Sequence, residues 1–185
     1  MRILNVAPDQ YERHRDFLRQ MHRLRATVFG GRLAWDVSIT AGQERDQYDD
    51  CRPTYLLAIA GGGKVAGCVS LLPASGPTML EQTFPQLLDA GSFRPHSGMV
   101  ESSRFCVDTS PDSQRGASQL HLATLTLFAG IIEWPMQRLG EPASIGHTIA
   151  SAGSLPADRS SFEQGCPQDY HSTSRIDGSL LRSAA

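Results

Sequence analysis

The chain has 185 residues, of which 40% are hydrophobic, and a formal net charge of −2. This length predicts one domain with room for a tail, and the near-neutral charge gives no global sign of nucleic-acid binding. No run reaches the roughly 18 apolar residues that span a membrane, and residues 1–7 lack a signal-peptide pattern. We therefore expect a cytoplasmic protein without a membrane or nucleic-acid partner.

The first third of the chain predicts a strand at residues 2–6 and a helix at residues 9–28. Asp9 is a candidate N-cap, and Gly30-Gly31 should end the helix. An apolar stripe at helical spacing is formed by Phe17, Met21, Leu24 and Val28.

Residues 1–35 are also basic, with seven Arg against three acidic residues. Such a region either docks an acidic partner by long-range attraction or forms a solvated helix face.

The middle of the chain predicts a hairpin after an irregular polar segment. Residues 36–53 are polar and contain Glu44, Asp46 and Asp49. Residues 54–60 and 65–72 read as two strands joined by a glycine turn. A short helix is expected at residues 79–88, and a strand at residues 100–107.

The last predicted helix covers residues 117–134 and should stop at Pro135. Its apolar side is predicted to contain Leu120, Leu127, Phe128 and Ile131. Large aliphatic residues are scarce in residues 151–185, so we expect a loosely ordered tail there. The order of elements predicts an α/β (α+β) sandwich around a central sheet.

The strand at residues 101–107 carries ionisable groups, so it is poor core material. Strict alternation would divide its side chains between two faces. These faces would hold Glu101, Ser103 and Phe105 on one side and Ser102, Arg104 and Cys106 on the other. Taken alone, such a strand is either an exposed edge with a surface ion pair or the lining of a polar site.

The four cysteines form no CxxC pair or Cys/His cluster of a recognisable metal site. We expect reduced thiols, no metal and no cofactor, with Cys68 and Cys106 as small buried hydrophobes.

Five short motifs occur in order along the chain. They are Arg25-x-x-x-Phe29, Arg32-Leu-x-Trp35, Glu44-x-Asp46-x-x-Asp49, Leu71-Leu-Pro73 followed by Met79-Leu80 and Phe84-Pro85, and Glu101-Ser-Ser-Arg-Phe105. Each is weak alone, but together the series resembles the acyl-homoserine lactone synthases of bacterial quorum sensing, the LuxI-type family. The resemblance covers about residues 1–134.

This resemblance implies a GNAT-like three-layer sandwich with a central mixed sheet in residues 1–150, followed by the tail at residues 151–185. It also implies an acyltransferase that moves an acyl group from acyl carrier protein to the amine of S-adenosylmethionine. The methionine carboxylate then closes the lactone and releases methylthioadenosine. S-adenosylmethionine is thus expected as a substrate and acyl carrier protein as a partner.

The resemblance also assigns candidate site residues. It implies a S-adenosylmethionine pocket with Arg25, Phe29 and Trp35, and a polar catalytic cluster with Asp46, Asp49, Glu101, Ser103 and Arg104. Aromatic faces suit a sulfonium or an adenine, and an Arg fork suits a carboxylate. Taken without the other motifs, the two aromatic residues would be ordinary core residues.

Within the polar cluster, Glu101 is a candidate general base and Ser103 a candidate hydrogen-bond donor. Asp46 and Asp49 are expected to hold Arg25 or Arg104 in position, which would also suit a purely structural role. The sequence shows no Ser-His-Asp arrangement, so direct transfer is favoured over an acyl-enzyme.

The chain departs from the family pattern at two places. Ser70 stands where the family has an Arg before Leu-Leu-Pro. We expect the acids to lack one cation, their pKa values to rise and activity to fall, so Ser70→Arg should raise turnover. The second departure follows residue 134, where roughly 25–30 residues of the family pattern are missing, enough for one strand and one helix; their loss would expose a sheet edge.

Three explanations of the missing segment stay open. They are a decaying gene, a pared-down fold with altered specificity, or a helix that ends early, with residues 131–150 rearranged over the sheet edge. The main functional prediction is a lactone synthase, and the alternative is a degenerate non-catalytic homologue. A GNAT-like acetyltransferase that uses coenzyme A is disfavoured, since residues 114–117 fall short of a pyrophosphate loop.

Overall fold

The computed structural model of the chain describes residues 1–88, 93–110, 121–139 and 144–147. The strands are β1 (Arg2–Val6), β2 (Ile39–Thr40), β3 (Gln43–Glu44), β4 (Thr54–Ile59), β5 (Val65–Pro73), β6 (Met99–Val107) and β7 (Ser144–His147). The α-helices are α1 (Arg15–Arg25), α2 (Gln47–Asp50), α3 (Met79–Gln82) and α4 (Leu122–Leu139). A π-helical segment, Ala26–Arg32, continues α1, and short 3-10 turns lie at Pro8–Gln10, Gly61–Gly63 and Pro85–Leu87.

Five strands form one mixed sheet in the order β1-β4-β5-β6-β7. All neighbouring pairs are antiparallel except β6 and β7, which are parallel. The separate β2–β3 ladder lies in the segment that was expected to be irregular. The predicted β4–β5 hairpin is confirmed, and so is the mixed sheet.

Helices cover both faces of this sheet. The face under α1 and the π-helical segment, here called the α1 face, has a core that includes Val6, Met21, Phe29, Tyr55 and Leu57. The opposite face, the α4 face, has a core that includes Leu56, Val69, Leu71, Leu127 and Ile131. Because successive strand residues point to opposite faces, Tyr55 and Leu56 belong to different layers. The predicted three-layer α/β sandwich is confirmed.

The predicted helix at residues 9–28 is divided in the structure. Asp9 lies inside the 3-10 turn, so it does not cap a helix, and α1 begins only at Arg15. The glycines do not end the helix, because the backbone continues as a π-helix to Arg32. A Cβ on Gly30 would lie 2.6 Å from the Ile39 side chain, so this glycine allows a close approach rather than a stop.

The apolar stripe of the first helix is confirmed. Met21 and Val28 are buried, and Phe17 and Leu24 pack against the same core from half-buried positions. The helical spacing of these residues thus predicts the buried side of α1 correctly.

The last helix differs from its prediction at both its end and its apolar side. It continues through Pro135 to Leu139 without the hydrogen bond that a residue with an N–H would donate to the carbonyl of Ile131. Its buried side contains Leu127 and Ile131, four residues apart, whereas Phe128 is 46% exposed. Phe128 lies about 100° round the helix from Leu127, which explains the error. The predicted contribution of Leu120 falls outside the described residues.

The edge of β6 is partly covered by a strand that the sequence did not predict. Residues Ser144–His147 pair in parallel with β6 from Met99 to Ser102. This pairing matches the suggested rearrangement over the sheet edge, although the preceding helix does not end early. The expected tail at residues 151–185 lies outside the described residues. No helix in the described part of the chain is long and apolar enough to cross a membrane.

Candidate active site

Arg25 is the centre of a buried ionic cluster at the end of α1. Its guanidinium donates to both carboxylate oxygens of Asp49 at 2.8 and 3.0 Å. Its Nε donates to Glu44, and its Nη2 lies 3.5 Å from Asp46 Oδ2. We call Arg25, Glu44, Asp46, Asp49 and Arg104 the charged cluster.

Arg25 has no exposed surface. Burial lowers the pKa of Arg25, but attraction to Asp49 and Glu44 outweighs this and raises it well above its ordinary value. The predicted direct pairing of Arg25 with a substrate carboxylate does not fit this geometry, because the side chain is buried and each of its three nitrogens already donates to a protein acid.

Asp46 and Asp49 hold the two arginines, as the sequence predicted. Asp46 caps α2 by accepting the backbone N–H groups of Tyr48 and Asp49 at 2.9 and 3.1 Å. Its other oxygen accepts from Arg104 Nε. Burial raises the pKa of Asp49, but Arg25 outweighs that effect and the pKa lies below its usual value. Asp49 is therefore ionised at neutral pH.

Arg104 reaches this cluster because β6 contains a β-bulge. Ser103 lies opposite Ser70 and Cys106 lies opposite Cys68, so Arg104 and Phe105 together oppose a single residue of β5. Arg104 has a φ of 53°, in the left-handed region.

The bulge interrupts the alternation of side chains in β6. Arg104 therefore lies on the α1 face, whereas Phe105 stacks on Phe128 of α4 at 5.2 Å. The prediction that Ser103 and Phe105 share one face and Arg104 the other was wrong, because it assumed an unbroken pleat.

Phe29 and Trp35 form a parallel stack beside the charged cluster. Their ring centroids lie 5.0 Å apart with an interplanar angle of 3°. A backbone hydrogen bond holds the two residues close together. The backbone N–H of Trp35, which follows the π-helical segment, donates to the backbone carbonyl of Phe29 within that segment at 2.8 Å. The Arg104 guanidinium carbon lies 5.4 Å from the Phe29 ring centroid. The Trp35 indole Nε1 is buried and has no hydrogen-bond partner among the described residues.

Glu101 is buried and binds the start of α3. Its two carboxylate oxygens accept the N–H groups of Met79 and Leu80, each at 2.8 Å. Ser103 is 1% exposed, and its hydroxyl has no hydrogen-bond partner within the described part of the chain. The proposed roles of Glu101 as base and Ser103 as donor stay predictions.

Ser70 lies in the central sheet, next to two residues of the candidate active site. It is 5% exposed and is flanked in the sheet by Tyr55 on β4 and Ser103 on β6. The charged cluster holds three carboxylates and two guanidinium groups. These charges fit the shortage of a cation expected from Ser70. The expected rise in carboxylate pKa is wrong for Asp49, because Arg25 lowers the pKa of that acid. The effect of Ser70 on activity stays a prediction.

Three residues of this region were not among the candidates. Glu44 is fully buried, and burial raises its pKa; its Oε1 lies 3.8 Å from Arg104 Nη2. His22 Nδ1 donates to the Glu44 carbonyl at 2.9 Å, and the Tyr55 hydroxyl donates to Asp49 Oδ1 at 2.6 Å. The position of Glu44 in an acidic motif was a usable signal, whereas His22 and Tyr55 read as ordinary residues of a helix and a strand.

The thiols are arranged as expected for core residues. Cys68 and Cys106 are buried on the α1 face, with their sulfur atoms 3.4 Å apart. Among the described residues, Cys51, Cys68 and Cys106 form no disulfide bond, and Cys166 lies outside the described residues. In the ranges that the structure describes, no group of three or more His, Cys, Asp or Glu residues is arranged to hold a metal ion.

Comparison with known proteins identifies the family. The model of the family described as "Autoinducer synthase" matches residues 9–138. The chain belongs to this family of acyl-transferring enzymes. It is 66% identical to the acyl-homoserine-lactone synthase of Agrobacterium fabrum and 55% identical to that of Rhizobium radiobacter, with all of each chain covered in both comparisons.

Solved structures of the same kind share the fold. The acyl-homoserine lactone synthase LasI is 34% identical with a TM-score of 0.62, over 73% of this chain and 66% of that chain. The CoA-dependent synthase BjaI, solved with S-adenosylmethionine and isopentyl-CoA, is 28% identical with a TM-score of 0.63, over 74% of this chain and 62% of that one.

The comparisons also bear on the missing segment. The alignment with the Agrobacterium fabrum synthase spans 211 positions, 26 more than this chain has residues. Relative to that synthase, the chain therefore lacks about as many residues as the motif spacing predicted.

Proposed function

We propose that this chain makes an acyl-homoserine lactone from S-adenosylmethionine and an acyl thioester. The substrate amine attacks the thioester carbonyl and expels the carrier thiol. The methionine carboxylate then attacks the carbon next to the sulfonium, closes the lactone and releases methylthioadenosine. The observation that carries this proposal is the meeting of an aromatic stack, Phe29 and Trp35, with a guanidinium, Arg104, beside buried acids.

These groups match the chemistry of S-adenosylmethionine. An aromatic face attracts a sulfonium cation and stacks on adenine. The Arg104 side chain is 16% exposed, whereas that of Arg25 has no exposed surface, so Arg104 is the better partner for the substrate carboxylate. In this proposal, Arg25 and Asp49 hold the cluster in place and do not touch the substrate.

Glu101 is proposed to take the proton from the substrate amine. The N–H groups of Met79 and Leu80 hold its two oxygens in a fixed orientation, and the proton would pass to the carboxylate directly or through a water. Transfer through such a water would leave the anchoring of α3 undisturbed. Ser103 would then donate its hydroxyl, which has no hydrogen-bond partner among the residues that the structure describes, to the ligand.

Acyl carrier protein is the proposed acyl donor, and coenzyme A is the second candidate. The exposed side of α1 and the turn before it carry Arg13, Arg15, Arg19 and Arg23, a surface that suits an acidic carrier. Two of these side chains pair with acids on the same surface, Arg15 with Glu12 and Arg19 with Asp16. The second candidate is favoured by two relatives of known structure, MesI and BjaI, which are CoA-dependent synthases.

The test is a reaction of purified protein with S-adenosylmethionine and either a mixed acyl carrier protein pool or mixed acyl-CoA. We expect mass spectrometry to find a lactone and an equal amount of methylthioadenosine, with the carrier protein pool as the better donor. Folded protein that makes neither product beside an active relative would favour the degenerate homologue.

Charge reversal separates the two donors. The triple variant Arg13→Glu, Arg15→Glu and Arg19→Glu should raise the KM for the acyl carrier protein and leave the KM for acyl-CoA unchanged. An unchanged KM for the carrier protein would exclude this face as its docking surface.

A further inference from the structure

Tyr55 lies outside every motif of the sequence, yet its side chain ends in the charged cluster. It belongs to β4, and 1% of its surface is exposed. Its hydroxyl donates to Asp49 Oδ1 at 2.6 Å. Tyr55 therefore joins the central sheet to a short acidic segment, which consists of the two-residue strand β3 and the four-residue helix α2.

Asp49 is fully hydrogen-bonded in this arrangement. Its Oδ1 accepts from Arg25 Nη1 and Tyr55, and its Oδ2 accepts from Arg25 Nη2 and the Asp46 N–H. An ionised carboxylate has about four acceptor positions, so all of them are used. Among these donors, Tyr55 is the one that the central sheet supplies.

The same hydrogen bonds lead on to Arg104. The Asp46 N–H donates to Asp49 at 2.8 Å, and the Asp46 carboxylate accepts from Arg104. Tyr55 and Arg104 lie on strands of the same sheet, so the acidic segment is held between two side chains from that sheet. A shift of Asp49 would thus be passed through Asp46 to the guanidinium beside Phe29.

The Tyr55 hydroxyl is suited to donate a hydrogen bond but not to give up its proton. Burial and the nearby Asp49 raise the pKa of its phenol well above the ordinary value, so the hydroxyl stays protonated. Its ring packs against Tyr11 and His22, whose ring centroids lie 5.5 and 6.2 Å away. The orientation of the hydroxyl is therefore set by packing.

We propose that Tyr55 is a positioning residue, whose hydroxyl fixes Asp49 and, through Asp46, holds the Arg104 guanidinium where it meets the substrate. This inference rests on the proposed function, which assigns the substrate carboxylate to Arg104.

The test compares Tyr55→Phe with a matched variant, Tyr48→Phe. Tyr48 is also buried, adjoins Asp49 on α2, and places its hydroxyl 2.7 Å from Thr83 Oγ1 instead of an acid. We expect Tyr55→Phe to lower kcat/KM for S-adenosylmethionine about tenfold, because it removes a hydrogen bond to a charged group. Tyr48→Phe should keep kcat/KM while lowering the melting temperature as much or more. Equal kcat/KM in the two variants would overturn the inference.

A double-mutant cycle tests whether Tyr55 acts through Asp49. If it does, Tyr55→Phe should have little further effect on kcat/KM in an Asp49→Asn background. If the two effects multiply, Tyr55 acts independently and the inference is wrong.

The melting temperature, measured against pH without substrate, tests this inference independently of the proposed function. The low pKa of Asp49 stabilises the fold above about pH 4, and this contribution is lost as the pH falls through the folded pKa. Tyr55→Phe should raise that pKa. The difference in melting temperature from the wild type should then shrink below about pH 4.

The matched variant Tyr48→Phe should show a difference in melting temperature that does not change with pH. A pH-independent difference for Tyr55→Phe would overturn the positioning role even if the chain makes no lactone. If the wild type makes no lactone but the difference in melting temperature between Tyr55→Phe and the wild type still shrinks at low pH, the result would count against the proposed function alone.

Discussion

The two faces of the central sheet are built from the same strands but differ in chemistry. The α4 face is apolar, with Leu56, Val69 and Leu127 in its core. The α1 face combines an apolar core with buried charged groups, including Arg25 and Glu44. Because strand residues alternate, each strand can supply an apolar residue to one layer and a site residue to the other.

The two faces are expected to contribute differently to the stability of the fold and to its activity. Burying ions costs desolvation energy that their attraction offsets only in part, so the charged cluster is a weak source of stability. Apolar burial on the α4 face carries no such cost. We therefore expect substitutions on the α4 face to act on folding alone and substitutions in the cluster to act on activity as well.

The largest expected effect is that of Arg25→Met. It leaves the buried carboxylates of the charged cluster without their main cation, which should cost about 3–5 kcal/mol of unfolding free energy. Urea unfolding would measure the loss. Arg15→Met removes an exposed ion pair with Glu12 and should cost under about 1 kcal/mol. A similar, small loss in both variants would show that the cluster does not need its buried arginine.

The α4 face is tested by Leu127→Ala, which creates a cavity and should cost about 2–5 kcal/mol. Kinetic parameters per folded molecule should not change. Leu125→Ala, at a position 41% exposed on the same helix, is the control and should be nearly neutral. A changed KM for S-adenosylmethionine in Leu127→Ala would mean that the two faces are not separate.

Arg104→Lys should act on activity more than on stability. Lysine keeps the charge but lacks the planar fork that binds Asp46 and stacks on Phe29, so we expect about a tenfold loss of kcat/KM. Arg52→Lys is a matched control, since Arg52 also has a positive φ, of 52°, and lies 5.7 Å from the Tyr11 ring. If both variants lose activity alike, the effect comes from the backbone and not from the cluster.

The smallest effect concerns His22, which lies beneath the acidic segment. Burial lowers the pKa of His22, so the unfolded chain binds a proton below about pH 6.5 more readily than the folded protein does. Stability should therefore fall by up to about 1 kcal/mol between pH 6.5 and 5.5. His22→Asn keeps a donor near the Glu44 carbonyl and should remove this slope in thermal melting. An unchanged slope would assign it to other groups.

Local patterns in the sequence predicted much of this architecture. The stripe through Met21 and Val28 predicted the buried side of α1. The motifs predicted that Asp46 and Asp49 meet the two arginines, although they did not predict the same for Glu44. These signals work because they depend on near neighbours along the chain or on a pattern that the family shares.

Other features depended on contacts that no local pattern encodes. No glycine or proline in residues 99–107 marks the bulge at Arg104, so alternation predicted the wrong face. The pairing of β7 with β6 and the bond from Tyr55 to Asp49 are tertiary contacts. Gly30 predicted the end of a helix, whereas in the structure its missing side chain leaves room for the side chain of Ile39.

The short length of β7 has a consequence for how this site can change in evolution. In the described ranges, β7 pairs with β6 only as far as Ser102, and β5 is the remaining sheet neighbour of the half that carries Arg104. A strand with one partner tolerates an extra residue more readily than a strand held on both sides. Insertions and deletions in this half can thus redirect a site residue while the rest of the sheet keeps its register.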